Sequence, residues 1–224
     1  MQIEAIFTIA IIIYSAIAHE VAHGYGALMF GDITAKAEGR LSLNPIKHID
    51  PVGSILLPLL LVVSHSPFLI GYAKPVPYNP YNLSPRKAGE IVVAAAGILT
   101  NLFIAIIFAV LVVRFGADLL PASFVEISVV VVHINVMLAI FNLLPVPGFD
   151  GAKLFKSILP FRLAYIYDRF ENFFLRYGMI GMVFAIFLLL FVIAPILGNV
   201  IFSISSLLMG LPPDVMVGIL SKFF

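Results

Sequence analysis

The chain contains no cysteine and no tryptophan, and Asp, Glu, Lys and Arg make up only 11% of its 224 residues. Without cysteine there is no disulfide and no thiolate metal site, so a transition metal would have to be held by His, Asp or Glu. The net charge is +1 and no long run of one sign occurs. That removes the electrostatic footprint of a nucleic-acid binder, and nucleic acid is not an expected partner. What the chain has in excess is apolar: 62% of residues are hydrophobic and the mean hydropathy is +1.11. A water-soluble fold cannot hide that much apolar surface, and the lipid bilayer is the expected surrounding.

Spanning helices need about 20 mainly apolar residues. Runs of that kind cover residues 3–30, 88–113 and 124–144, and a longer one, 177–211, is expected to divide into two helices at Pro195 and Gly198. The expected fold is therefore an all-α polytopic membrane protein with about five spanning helices. Residues 52–64 are apolar but short, bracketed by Pro51 and Pro67 and interrupted by Pro58, which suits a re-entrant or interfacial segment. Ala16-Ile17-Ala18 imitates a signal-peptide cleavage site, yet the only charge before it is Glu4, and a retained helix is the better reading. Residues 159–176 mix Phe, Tyr, Arg and Asp as an amphipathic surface helix would. In residues 33–44, apolar Ile33, Ala35, Ala37, Leu41 and Leu43 alternate with polar side chains, which predicts a small membrane-associated β element turning at Gly39. The prolines of 71–80 predict an extended segment. The whole chain, 1–224, reads as one membrane-embedded domain, with a core of about 1–155 and C-terminal helices of about 156–224.

Lys and Arg favour cytoplasmic loops. If 52–64 does not cross, every basic residue but Arg114 gathers on one side, and if it crosses, the bias largely vanishes. The charges therefore put the N-terminus outside and the C-terminus in the cytoplasm.

One constellation carries chemistry. His19-Glu20-Val21-Ala22-His23 is an HExxH pattern, in which residues four apart lie one above the other on a helix so that two imidazoles converge on one ion. Glu20 projects from the adjoining strip, where a carboxylate can take a proton from water activated by the metal. With five His and six Glu available, chance would produce roughly 0.003 copies of the pattern. Three ionisable groups in five residues of a spanning helix cost several kcal/mol unless paired or functional. A structural alternative is a buried polar knot or a helix end reaching the interface.

Catalytic zinc commonly takes three protein ligands, so a third is needed. Asp150 follows Pro145-Val146-Pro147-Gly148-Phe149 at the end of the third long helix, where broken backbone at membrane depth implies a protein-lined cavity. It can equally be the N-cap of the helix that begins near Gly151. Topology decides in favour of ligation. His23 and Asp150 lie at ends on the same side of the membrane only if 52–64 does not cross, which is the topology that the charges select independently. His48, His65 and His133 are isolated competitors, and His48 is the best substitute.

With these residues in view, the sequence resembles the site-2 protease family of intramembrane zinc metalloproteases, in the small prokaryotic form without PDZ or CBS domains. The resemblance rests on the HExxH pattern, on Asn142, Pro145, Asp150 and Gly151, and on Gly97-Ile98-Leu99-Thr100-Asn101, which looks like the family's Gly-Pro-x-x-Asn motif with isoleucine where proline is usual. Residues 31–50 and 71–82 are similar to those of small members. It implies a three-helix catalytic core, one zinc ion on His19, His23 and Asp150, Glu20 as catalytic base, and cleavage of membrane-spanning protein substrates near the cytoplasmic leaflet. It also implies substrate or site positioning by Asn142 and Asn101, for which the alternative is an interhelical amide bond. An opened substrate peptide would add to the expected edge strand at 33–44. The rival from another class is a transporter or channel using an intramembrane His/Glu site. No internal repeat supports it. The sequence is silent on oligomeric state.

Overall fold

The computed structural model describes residues 2–56, 59–60, 63, 73–178 and 193–224. The helices are α1 (Gln2–Met29), α2 (Thr34–Ala37), α3 (Arg86–Ile107), α4 (Ala122–Leu143), α5 (Asp150–Ile158), α6 (Phe161–Arg176), α7 (Ala194–Met209) and α8 (Pro213–Leu220). A π-helical stretch, Phe108–Arg114, prolongs α3. Among the described residues three helices are long and apolar enough to cross a membrane: Ile3–Met29, Arg86–Arg114 and Ala122–Leu143. The count rises to four if the pair Ile196–Met209 and Pro213–Leu220, bent by 108°, is one broken span. The expected boundaries of the first three spans agree with these to within two residues. Most of the expected fourth span and part of the re-entrant segment lie outside the described residues. Of that segment, Pro51–Leu56 forms one π-helical turn.

Two sequence expectations are corrected. Gly198 does not divide the last apolar run, because α7 starts with Pro195 in its first turn and continues past Gly198 to a left-handed Gly210 at φ 67°. The backbone then turns into α8, which the sequence reading did not foresee. The expected β element at 33–44 is also absent, and no strand occurs among the described residues. Asp32 explains why. Its carboxylate accepts the Thr34 N–H (3.1 Å) and the Thr34 hydroxyl, which starts the short helix α2. Ala37 N–H then donates to Ile33 O (2.8 Å) and Arg40 N–H to Ala35 O (2.9 Å), so the groups a strand ladder would use are spent locally. With no edge strand present, there is none for a substrate to extend.

The chain divides into two compact units, residues 13–97 and residues 98–224 with 1–12. In the first unit, α1 ends in a Schellman turn. Gly31 sits at φ 97°, with its N–H on Leu28 O and the Asp32 N–H on Ala27 O, both 3.1 Å. A side chain at residue 31 would strain in that left-handed conformation. Asp32, 1% exposed, also accepts from Asn79 N–H (2.7 Å) and Asn82 Nδ2 (2.9 Å) and so ties the helix end to the chain entering α3. Ser84 N–H adds a bond to Phe30 O at 2.8 Å.

In the second unit the core is built on α4. Val129, Val130, Val132, Ile134 and Val136 are fully buried among Ala105, Ala109, Ile201, Met209 and Met216. β-Branched side chains are stiff and present a fixed relief, and between helices in lipid it is such packing that holds partners together. Arg114 closes α7 by donating to Leu207 O and Leu208 O, the last carbonyls of that helix. Helices α5 and α6 are joined by Lys156, which pairs with Asp168 and with Glu171.

Burial of Asp32 favours its neutral form, but the bonds from Thr34, Asn82 and Asn79 outweigh that and hold its pKa below the ordinary carboxylate value. A depressed native pKa stabilises the fold above the unfolded value of about 3.9 and is lost as pH falls below it. Asp32→Ala strands four donors and is expected to lower stability by on the order of 2 kcal/mol. Thermal unfolding in detergent at neutral pH measures the loss, and the wild-type and variant midpoints should converge as the pH is taken below 4. A variant as stable as wild type at neutral pH would remove Asp32 from this role.

Candidate metal centre and general base

The HExxH residues stand in the last third of α1, and both histidines are buried. Their rings meet edge to face with centroids 4.7 Å apart, the result of a four-residue spacing on one helical strip. Two residues of α3 shape this strip, and they too are four apart. The His23 Nδ1 lies 2.6 Å from the Val93 carbonyl oxygen. A carbonyl only accepts, so Nδ1 carries the proton and donates, which leaves the Nε2 lone pair for a ligand. Metal-binding histidines are held by such a bond on the opposite ring nitrogen. Beside His19 stands Gly97, where an added Cβ would lie 2.5 Å from the ring Nε2. Gly26 of α1 also lies against α3, its missing Cβ 3.4 Å from the Val93 Cα. Small residues let the two backbones close to a distance at which a ring and a carbonyl can bond.

Glu20 is partly buried and its Oε2 accepts the Val76 N–H at 2.9 Å. The donor belongs to the proline-rich segment that the sequence predicts to be extended; residues 73–79 form no helix or strand, and Asn79 at their end is in the extended region.

Asp150 is the first residue of α5 and is 8% exposed. The N-cap position falls on Phe149, which makes no side-chain cap bond, so the helix does not use the Asp150 carboxylate as its cap. Lys153 Nζ lies 3.5 Å from Asp150 Oδ1. The loop before it turns through Gly148 at φ 100°, and the Tyr167 hydroxyl donates to the Pro145 carbonyl at 3.0 Å. At Gly151 a Cβ would fall 2.2 Å from Leu143 O, so the turn out of α4 admits only glycine there. His19, His23 and Asp150 are the group among the described residues that could hold a metal ion. Two imidazoles and a carboxylate are a donor set that suits zinc, so these residues fit the expected ion.

The remaining candidates have other attachments. Asn101 is fully buried and its Nδ2 donates to Asn135 Oδ1 at 2.8 Å, while Asn135 donates to Val131 O. That is an amide bond between α3 and α4, with a partner the sequence reading passed over. Asn142 donates to Leu138 O within its own helix (2.9 Å). His48 Nε2 bonds Ser42 O at 2.7 Å, and His133 Nδ1 lies 3.3 Å from the Ser205 hydroxyl. His65 lies outside the described residues. Sequence reasoning also gave no role to Val93 or Val76, and it named Gly97 only as part of a motif, not as the residue beside His19. Only Gly97 carried a signal, a glycine inside an apolar helix.

An apolar helix long enough to cross a membrane, with HExxH and a tautomer-fixed buried histidine, has the marks of a membrane-embedded metallopeptidase, and comparison with known proteins gives the family. Residues 114–188 match Peptidase family M50. The chain is 38% identical over 161 residues to YwhC of Bacillus subtilis, which is named as a zinc metalloprotease, and the match covers 69% of each chain. It is 32% identical over 146 residues to Rip2 of Mycolicibacterium smegmatis, covering 65% of this chain and 54% of that one. To MJ0611 of Methanocaldococcus jannaschii it is 42% identical over 80 residues, 35% of this chain and 38% of that one. Both carry the same kind of name. No solved structure matches. The chain belongs to the M50 family, the site-2 proteases, and is a metalloendopeptidase of the membrane.

Gly97→Ala should displace the His19 ring, because neither the ring nor the α3 backbone can yield the missing space cheaply. The expected outcome is a folded protein that keeps well under half of the wild-type bound metal, read by elemental analysis after purification. Full metal content in the alanine variant would show that the contact is dispensable.

Proposed function

We propose that the chain is a zinc-dependent intramembrane endopeptidase that hydrolyses peptide bonds of membrane-spanning substrates near the cytoplasmic leaflet. His19, His23 and Asp150 hold one zinc ion, and Glu20 is the base. The observation that carries this reading is the His23 Nδ1 bond to the Val93 carbonyl, which fixes a ligand tautomer on a helix where an unused imidazole would be costly. Asp150 supplies the third donor as a buried carboxylate at the head of α5.

When bound, zinc supplies Lewis acidity, bringing the pKa of water toward neutrality and stabilising negative charge on the scissile carbonyl oxygen. The Glu20 carboxylate accepts the proton of the attacking water and returns it to the leaving amine. His23 keeps its ligand face by giving its other N–H to Val93. Asn142 and Asn101 are candidates for positioning: Asn101 bonds Asn135 between α3 and α4, and Asn142 bonds Leu138 within its own helix. A substrate helix hides its carbonyls in its own hydrogen bonds and must unwind before it is cut.

The charge distribution supports an external N-terminus, a cytoplasmic C-terminus and a site at the inner leaflet. The absence of cysteine makes this directly testable. Single cysteines in place of Lys47 and Lys153 should both react with an impermeant maleimide only from the cytoplasmic side. Reaction from opposite sides would end the proposed ligand set.

Activity is tested with purified protein and a membrane-embedded substrate. Glu20→Gln should retain its zinc and lose cleavage by about 10²–10⁴-fold. His23→Ala and Asp150→Ala should lose the zinc itself. Cleavage at the wild-type rate by the Glu20 variant would refute the assignment.

A further inference from the structure

Between Lys74 and Tyr78 the chain reads Pro75-Val76-Pro77, so residue 76 carries the one backbone N–H of the three. That N–H points at the Glu20 carboxylate, 2.9 Å from Oε2. Prolines on both sides stiffen the segment and hold it extended, so the donor is delivered by a strap with little freedom to turn away.

The strap is fastened from its other side. Arg40, itself 7% exposed, donates from one guanidinium nitrogen to Lys74 O at 2.8 Å and Pro75 O at 3.2 Å, and Lys74 N–H donates to His48 O at 2.8 Å. The Val76 side chain is buried, and it lies against the helix at Gly24, where a Cβ would fall 2.8 Å from Val76 Cγ1. Gly24 is four residues beyond Glu20 and therefore on the same strip of α1. The bare backbone at 24 thus admits the strap one turn from the carboxylate that the strap bonds.

We propose that Val76 is a positioning residue: its backbone N–H fixes one oxygen of Glu20 and leaves the other free to accept the proton of water. Glutamate has three side-chain torsions, and a base that samples them all spends little of its time in reach of a reacting atom. The bond to Val76 selects one arrangement, with the strap anchored by Arg40 and His48 as its rigid support. The proposal rests on Glu20 acting as the base.

Replacing the residue 76 amide by an ester removes only the N–H, and can be done by incorporating the α-hydroxy analogue of valine. In the otherwise intact protein this should lower kcat by about tenfold or more and leave KM within about twofold, with zinc content unchanged. The same replacement at Ala73 controls for general loosening of the strap and should leave kcat unchanged. In zinc-free protein the infrared carboxylate band assigned by Glu20→Gln should shift on losing the residue 76 donor and not on losing the residue 73 donor. Should the residue 76 ester fail to fold, Arg40→Ala, which removes both guanidinium bonds to the strap backbone, should give the same fall in kcat and the same band shift. Unchanged kcat, an unmoved band, or equal losses from both esters overturns the proposal. Activity in Glu20→Gln would instead defeat the base assignment itself, whereas an inactive Glu20→Gln beside a fully active residue 76 ester defeats only the role of Val76.

Discussion

A histidine ring and a helix backbone can share the space between α1 and α3 only because residue 97 has no side chain, which gives the His19 ring a place to lie. One turn earlier on α3 the Val93 carbonyl accepts the His23 Nδ1–H. The two helices thus meet as complementary pairs, 19 with 97 and 23 with 93, each pair four residues from the other. Bare backbone at one position and a directed carbonyl at the other let a buried imidazole pair be tolerated in so apolar a segment.

The first unit settles its polar groups with backbone partners in the same manner. His23 bonds a carbonyl, Glu20 bonds an amide, and Arg40 bonds two carbonyls of the strap. Asp32 takes two of its four donors from the main chain. A charged partner at membrane depth would itself need to be satisfied, whereas a backbone group adds a directed dipole and no new ion to bury. Proline makes this workable in the strap by reducing the number of donors to be placed and fixing the direction of the one that remains.

The parts of this arrangement that were legible in the sequence are those with a local rule. Long apolar runs gave α1, α4 and α3 with its π-helical continuation to within two residues, and the four-residue spacing of His19 and His23 gave a shared helical face. The β element failed because alternation records only which side chains face which way, and it is blind to Asp32, whose carboxylate starts a helical turn at Thr34. Gly198 failed as a breaker because helix interiors in lipid tolerate glycine when the surroundings leave the backbone bonded. Val93 and Val76 were illegible in principle, since each acts through its main chain, and a backbone group has no letter of its own.

At Asp150 the fold bears on two readings, cap and ligand, that the local sequence alone leaves open. An aspartate before a helix is the commonest of caps, and a cap would account for its place after a proline-glycine loop. The structure begins α5 one residue earlier than that role requires, giving the cap position to Phe149, whose side chain has nothing to donate or accept. The Asp150 carboxylate is then a buried acid in the first turn, at the end of a loop that Tyr167 and Gly151 hold in shape from either side. Lys153 at 3.5 Å is exposed, and an ammonium so open to solvent offsets little of the cost of burying that acid.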